Sequence, residues 1–469
     1  MLGKVFKAYD IRATYPDPLN EAMAWQIGYG AGKFLLEDAE AAGETTPMMK
    51  NIVVGHDMRL SGPSLRDALC RGILDSGANV IDIGMVDTPM VYFAINHLDC
   101  AGGIQVTASH NPPQYNGFKI SRRKAKPVGE TTGLADIRKK AAMVDQTIKG
   151  SGNGRIEKRD LWDAYRDHVF SFLNTGGAKI KVVIDASNGM AGTMVPKVFG
   201  KKGANVPGLE IVELYFENSK GQFVHEPNPL VASNLRDLQA KVLAEKADFG
   251  ICFDGDADRL MVVDEKGAIV GCDHLTGFLG AWFLKKNPGA AVVYDLRSSK
   301  AVEEAVIAAK GRAVRSRVGH VFMKSAMAER DGVFGGELSG HFYFRDNFNA
   351  DSGAIAMAVV LTALAEMKKP VSALIAPLTK YRQSGEMNFE VEDKDGALAE
   401  LKEAFAKRGT IDELDGVTID CFTKEGWWCN VRKSNTEPLL RLNLEAKDAK
   451  TLEKMLETIS PMLGEAVAH

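Results

Sequence analysis

Three runs in this chain share one plan: a continuous apolar strand, a polar turn carrying an aspartate, then a helical segment. They are NIVVGHDMRLSG (51–62), IKVVIDASNGMAG (180–192) and AVVYDLRSSKAV (291–302). Strands that are apolar without alternation are buried on both faces. Alternating with helices, they belong to open, mainly parallel α/β sheets. The runs recur at intervals of roughly 110–130 residues, so the spacing predicts one α/β unit repeated three times. At 469 residues the chain is too long for one ordinary core and divides into roughly three or four domains. Beyond about residue 380 the pattern changes to strand, helix (GALAELKEAFAKRG), strands, helix (KDAKTLEKMLETI), a smaller α+β C-terminal domain. Gly- and charge-rich IKGSGNGRIEKRD (148–160) reads as a linker, as do VVDEKGAIVGCD (262–273) and the stretch 380–396.

A net charge of −3 offers no global attraction for nucleic acid or an anionic membrane, so any anionic ligand must meet local positive charge. The six cysteines (70, 100, 252, 272, 421 and 429) form no C-x-x-C pair, which fits a reducing cytosol. The start, MLGKVFKAYDIRATY, lacks the apolar region of a signal peptide. The most apolar long stretch, SGAIAMAVVLTALAEM (352–367), is too short to span a bilayer and reads as a buried helix.

FDGDADRL (253–260) sets Asp254, Asp256 and Asp258 two residues apart between two β-type runs. Carboxylates at i, i+2 and i+4 of a tight loop converge, and a hard cation relieves their repulsion. An all-oxygen set suits Mg²⁺ or Ca²⁺. An EF-hand is set aside: Arg259 stands where that loop needs glycine, and the flanks are strands. IQVTASHNPPQYNGFKI (104–120) carries Ser109 with His110 beside it and Lys119 within reach, although Ser, Asn and Pro are also ordinary turn residues. VFGGELSGHFYF (333–344) presents Glu337, Ser339 and His341 on one face if extended: a carboxylate and a hydroxyl for sugar hydroxyls, and an imidazole for a proton. NVRKSNTEPLLRLNLE (430–445) offers Arg432, Ser434, Asn435, Thr436 and Arg441 as a phosphate cradle, or a capped turn. Near the start stand Tyr9 and Arg12; Arg297, His320 and Lys324 lie further on. GYGAGK (28–33) has neither phosphate-loop spacing and sits inside a helical pattern.

Taken in order, TASHNP, DGDADR, GGELSGH and RKSNTEP resemble the motifs of the α-D-phosphohexomutases, and the likeness covers essentially the whole chain. The nearest branch is bacterial phosphomannomutase/phosphoglucomutase. The resemblance implies three similar α/β domains with mixed, mainly parallel sheets and a smaller α+β C-terminal domain, heart-shaped around a central cleft. On that plan residues 1–152 carry the phosphoserine loop, 153–267 the metal loop, 268–380 the sugar-binding loop and 381–469 the phosphate-binding loop. It implies that Ser109 is phosphorylated and that Asp254, Asp256 and Asp258 bind Mg²⁺ together with a phosphoserine oxygen. Glu337 and Ser339 would bind sugar hydroxyls, and Arg432, Ser434, Asn435 and Thr436 the non-reacting phosphate. Tyr9, Arg12, Lys119, Arg259, Arg297 and His320 would line the cleft, with His110 and Arg441 also at the substrate and His341 as general acid or base.

The implied reaction converts hexose 1-phosphate (mannose or glucose) to hexose 6-phosphate through a 1,6-bisphosphate, which also serves as activator. The implied partner is a small phosphosugar, with no nucleic acid or membrane, for a cytoplasmic monomer or dimer. Departures from the family pattern are Ala13 in YDIRA, Arg297 where relatives carry lysine, and Leu338 in the sugar loop. An apolar residue at 338 favours a hexose over an amino sugar. Phosphoglucosamine mutase is the alternative within the family. A phosphatase and a non-catalytic phosphosugar-binding protein are the alternatives outside mutase chemistry.

Overall fold

The computed structural model describes residues 2–144, 154–200, 203, 205–434 and 439–467. Asn435 and Thr436 lie outside the described residues. The chain forms two compact units: Met1–Gly271 with Ser339–Ser372, and Cys272–Leu338 with Ala373–His469.

The first unit holds two sheets. In one, the strands run in the order Ile11–Thr14, Tyr115–Arg122, Gly102–Val106, Asn51–His56, Asn79–Met85 and Ile156–Lys158. The last four are mutually parallel, and the first two add antiparallel. Part of the expected linker 148–160 is therefore a sheet strand, Ile156–Lys158, which pairs with Asn79–Met85. It is too short and too polar to read as a strand in sequence; its neighbour supplies the pairing. The second sheet runs Ile269–Val270, Leu260–Asp264, Phe249–Phe253, Ile180–Asp185 and Leu209–Leu214, parallel over the last three strands. The turn expected at Lys266–Gly267 closes an antiparallel hairpin of this sheet.

The glycines of GYGAGK lie in the helix Glu21–Ala41, where they serve packing. A β-carbon on Gly28 would stand 2.2 Å from the Leu69 carbonyl oxygen, and one on Gly72 2.0 Å from that of Trp25. The helices Glu21–Ala41 and Gly62–Asp75 thus meet backbone to backbone. The apolar stretch near residue 360 is a buried helix, Gly353–Met367, with the Ser352 hydroxyl capping its N-terminus by accepting from Ile355 N–H.

The second unit carries three parallel strands, Arg312–Ser316, Ala291–Asp295 and Gly332–Gly336. Its other sheet is antiparallel throughout: Thr410–Asp412, Val417–Asp420, Trp427–Lys433, Leu439–Ala446, Arg382–Glu390 and Glu465–Val467. Leu401, Phe405, Met455 and Ile459 of its two helices pack into that sheet's apolar core. The architecture is the expected one: three α/β domains with mixed sheets and a smaller α+β domain at the C-terminus. All six cysteines are buried free thiols. No helix among the described residues is long and apolar enough to cross a membrane.

The repeated strand–turn plan has a common chemical core. Asp57, Asp185 and Asp295 stand at the ends of their strands, each fully buried. Each carboxylate accepts from the N–H two residues on: Arg59 at 3.0 Å, Ser187 at 2.8 Å and Arg297 at 2.8 Å. Their second oxygens differ in partner: the Arg59 side chain, His225, and the Arg297 side chain with Leu338 N–H. One loop geometry thus recurs three times with three different attachments.

Candidate active site

Ser109 follows the strand Gly102–Val106 and is almost fully buried. Its φ of +52° is a left-handed conformation that costs an L-residue about 1–2 kcal/mol, so its surroundings must hold it there. Its N–H donates to Thr107 Oγ1 at 2.9 Å, and its hydroxyl donates to Asp254 Oδ2 at 3.2 Å. Nδ1 of His110 lies 3.3 Å from the same hydroxyl. Burial, then the charges of Arg259, Arg12 and Lys119, push His110 well below the usual histidine range. It therefore stands neutral beside Ser109.

The aspartate triplet lies in the turn between the antiparallel strands Phe249–Phe253 and Leu260–Asp264. Asp254, Asp256 and Asp258 are buried, and one oxygen from each lies within 4.8 Å of the others. Ala257 takes a left-handed φ of +57°, which turns the loop between the second and third carboxylates. Lys119, on the strand Tyr115–Arg122, donates to Asp256 Oδ2 at 2.7 Å and to Asp258 Oδ2 at 2.6 Å. Thr88 donates its hydroxyl to Asp256 Oδ2 and its N–H to the Asp256 carbonyl, from the N-terminus of the helix Thr88–His97. Burial and repulsion from Asp258 and Asp256 hold Asp254 well above the usual carboxylate range. Burial also works to raise Asp258, but Lys119, His341 and Arg259 outweigh it and hold that carboxyl low. Burial would lower Lys119, and the three aspartates together raise it.

Three buried carboxylates with one ammonium between them carry a local excess of negative charge. Asp256 Oδ1 is buried with no hydrogen-bond partner, the kind of atom whose desolvation needs an explanation. The donor set is all oxygen and converges, so the residues fit a hard divalent cation.

His341 stands at the edge of this group. Arg259 Nε donates to its Nε2 at 3.3 Å, the same nitrogen lies 3.3 Å from Asp258 Oδ1 and 3.8 Å from Asp351 Oδ2, and Nδ1 faces the Ser339 hydroxyl at 2.9 Å. Arg259 also donates its N–H to Asp254 Oδ1 at 3.2 Å. Arg12 donates to Asn111 Oδ1 and Asp10 Oδ2, against the Ser109 loop. Tyr9 is half-buried nearby in sequence. Ser109, His110, Lys119, the three aspartates, Arg259, Ser339 and His341 all belong to the first unit.

The remaining expected residues belong to the second unit. Glu337 is buried, and its Oε1 accepts from Gly319 N–H at 2.8 Å, one residue before His320 opens the helix His320–Glu329. The strand Gly332–Gly336 stops short of Glu337, and the next strand begins at Phe342. Residues 337–341 therefore turn rather than run extended, with Gly340 at a φ of +84°, and do not present one common face. Arg297, Arg432 and Arg441 converge on Glu386: Arg297 Nη1 at 3.1 Å and Arg432 Nη2 at 3.0 Å on Oε2, and Arg441 Nη1 at 3.0 Å on Oε1. Burial would raise the Glu386 carboxyl, but Arg297, Arg432 and Arg441 bring it down to about 2. Ser434 ends the described part of its loop.

Sequence reasoning missed Asp57, Arg59, Thr88, Asp351 and Glu386. Asp57 and Arg59 sat within a recurring turn, which marked the turn without separating its members. Glu386 lies in an ordinary polar strand, and only the fold brings three arginines to it.

Four family models match the chain: phosphoglucomutase/phosphomannomutase α/β/α domain I over residues 3–147, domain II over 163–267, domain III over 272–381, and the C-terminal domain over 386–461. A phosphomannomutase of Escherichia coli K12 is 37% identical, covering 98% of this chain and 99% of its own. Phosphohexose mutases of Xanthomonas campestris are 39% identical, covering 98% of each chain. Among solved structures, a phosphoglucomutase/phosphomannomutase family protein from Burkholderia thailandensis aligns with a TM-score of 0.85 at 31% identity, over 98% of this chain and 96% of that one.

Proposed function

The chain belongs to the phosphoglucomutase/phosphomannomutase family, and we propose that it interconverts hexose 1-phosphate and hexose 6-phosphate, with mannose, glucose or both as the hexose. The observation that carries this reading is the placement of Ser109, a buried serine whose hydroxyl meets Asp254 at the rim of the carboxylate cluster.

In the proposed cycle Ser109 holds a phosphoryl group on Oγ. The sugar hydroxyl forms its bond to phosphorus as the bond to Ser109 Oγ breaks; the hydroxyl proton passes to His341, and the departing Oγ takes up a proton from solvent to become the serine hydroxyl. The product is a bound hexose 1,6-bisphosphate. In the second half the serine hydroxyl gives up its proton to solvent as it attacks the other phosphoryl group, and the departing sugar oxygen takes the proton held by His341. Lys119 and Arg259 hold positive charge beside the carboxylates and stabilise the charge spread over the transferring oxygens. Asp254, Asp256 and Asp258 would hold Mg²⁺, which supplies Lewis-acid stabilisation of a phosphoryl oxygen. Half-buried His110, held below the usual histidine range, keeps the space beside the serine free of further charge.

Recognition is assigned to Glu337 and Ser339 for sugar hydroxyls, and to Arg432, Ser434, Asn435, Thr436 and Arg441 for the non-reacting phosphate. Tyr9, Arg12, Arg297 and His320 complete the substrate contacts. Leu338 supports a hexose over an amino sugar. Ser109 and all three aspartates are in place, which argues against a binding protein without activity. We assign the four domains to 1–152, 153–267, 268–380 and 381–469, a hexose 1,6-bisphosphate as activator, and a cytoplasmic monomer or dimer as the working form.

The direct test is Ser109→Ala. The variant is expected to melt like the parent and lose nearly all turnover. Parental rates in that variant would overturn the assignment of Ser109 as phosphoryl carrier.

A further inference from the structure

Arg59 is an arginine with nothing left to give. Its guanidinium has five N–H donors, and all five are spent. Nε donates to Asp57 Oδ2 at 3.1 Å. Nη1 donates to the carbonyls of Pro112 at 2.7 Å and Tyr115 at 2.9 Å. Nη2 donates to those of Ser109 at 2.9 Å and Asn111 at 2.6 Å. Four carbonyls of the loop that carries Ser109 thus turn onto one planar group. The side chain is fully buried, with the Phe223 ring 5.4 Å away across its face.

Asp57 links this clamp to the serine a second way. Its Oδ2 also accepts from Thr107 Oγ1 at 2.7 Å, and Thr107 Oγ1 accepts the Ser109 N–H at 2.9 Å. A buried ion pair of this kind is weak evidence for stability, since both charges are desolvated. What it fixes here is geometry: the left-handed backbone at Ser109, which the bare chain disfavours.

The same turn in the third repeat makes the contrast. Arg297 also pairs with the aspartate two residues before it, but it extends Nη1 to Glu386. Arg59 extends to no acidic side chain other than its own Asp57 among the described residues, and its remaining donors serve the loop.

We infer that Asp57, Arg59 and Thr107 form a positioning clamp that holds the Ser109 loop in its transfer-competent geometry, with Arg59 acting on the reaction through the loop backbone and never on the phosphate. This rests on Ser109 being the phosphoryl carrier. A lysine cannot replace the clamp: its three donors radiate from a point and cannot serve four carbonyls and a carboxylate. A group that positions the reacting serine lowers kcat and leaves KM, whereas a phosphate ligand raises KM.

The test compares the parent, Arg59→Lys, Thr107→Val, Thr107→Ser and Ser109→Ala. Each is treated with glucose 1,6-bisphosphate and Mg²⁺. Intact mass follows the phosphoryl group moving from bisphosphate to serine with release of hexose monophosphate. Thermal melting and steady-state rates are measured alongside. Arg59→Lys and Thr107→Val should melt as folded proteins, gain phosphate slowly, and lose kcat by on the order of a hundredfold, with KM within about threefold of the parent. Thr107→Ser keeps the hydroxyl and should recover most of the rate. If Arg59→Lys does not fold, the Thr107 pair decides. Parental kcat in Thr107→Val, or a loss confined to KM in either variant, overturns the clamp. A parent that gains no phosphate, or a Ser109→Ala that gains as much, refutes the underlying assignment of Ser109 instead.

Discussion

A β-carbon on Gly255 would stand 2.3 Å from the carbonyl oxygen of Ser109. The carboxylate loop and the serine loop are therefore packed backbone against backbone, and only glycine allows it. Gly255→Ala is expected to push the loops apart at a cost of about 1–3 kcal/mol, the usual range for overpacking. It should lower both the melting temperature and kcat. A melt and a rate assay on one preparation check this, and an alanine variant equal to the parent in both would show that the contact is not tight.

Asp256→Asn removes a charge from a triplet residue with an unpartnered buried oxygen. The Mg²⁺ concentration for half-maximal activity should rise by roughly ten- to a hundredfold, matching the loss of one charged contact worth about 1.5–3 kcal/mol. A titration of activity against Mg²⁺ reads this directly. An unchanged midpoint would remove Asp256 from the ligand set.

Glu386 is a carboxylate shared by three arginines, and Glu386→Gln leaves them facing one another without it. Removing the shared acceptor from this part-buried cluster costs about 1–3 kcal/mol. The melting temperature should fall, and inorganic phosphate should restore it by more in the variant than in the parent, since phosphate supplies the missing negative charge. The carboxyl itself is lowered from 4.5 to about 2, so its stabilisation is present above pH 4.5 and is lost as pH falls toward 2. Equal phosphate shifts in variant and parent would count against a shared anion site.

His225 pairs with the buried Asp185 at 3.1 Å, beside the Tyr215 ring. Burial opposes its protonation, but the hydrogen bond and charge of Asp185 outweigh that and raise it above 6.5. A raised histidine stabilises the fold fully below its unfolded value and loses that contribution as pH rises through the folded one. Thermal stability should therefore decline above neutral pH, and His225→Asn should flatten that decline. Melting curves across the range decide it; an unaltered pH slope in the variant would show that the pair does not titrate.

Much of the fold was legible because its signals are local. The three apolar strands with their aspartate turns announced a repeated α/β unit, and the carboxylate triplet announced its hairpin. The spacing of Glu337, Ser339 and His341 puts them on one face only in an extended strand, and the chain turns there instead, with Gly340 in a left-handed conformation. Arg59 could not be found from its neighbours in sequence. The carbonyls it holds lie some fifty residues away, and only the sheet order brings them over it. Glu386 was hidden for the same reason: a glutamate in a polar strand looks solvated until three arginines from elsewhere reach it.

The most direct test of the central claim is phosphorus NMR of mannose 1-phosphate, and separately glucose 1-phosphate, with the enzyme, Mg²⁺ and a trace of glucose 1,6-bisphosphate. The account predicts that a hexose 6-phosphate signal grows as the 1-phosphate signal declines, for at least one of the two sugars. Release of inorganic phosphate in its place, or no change with either sugar, would contradict it.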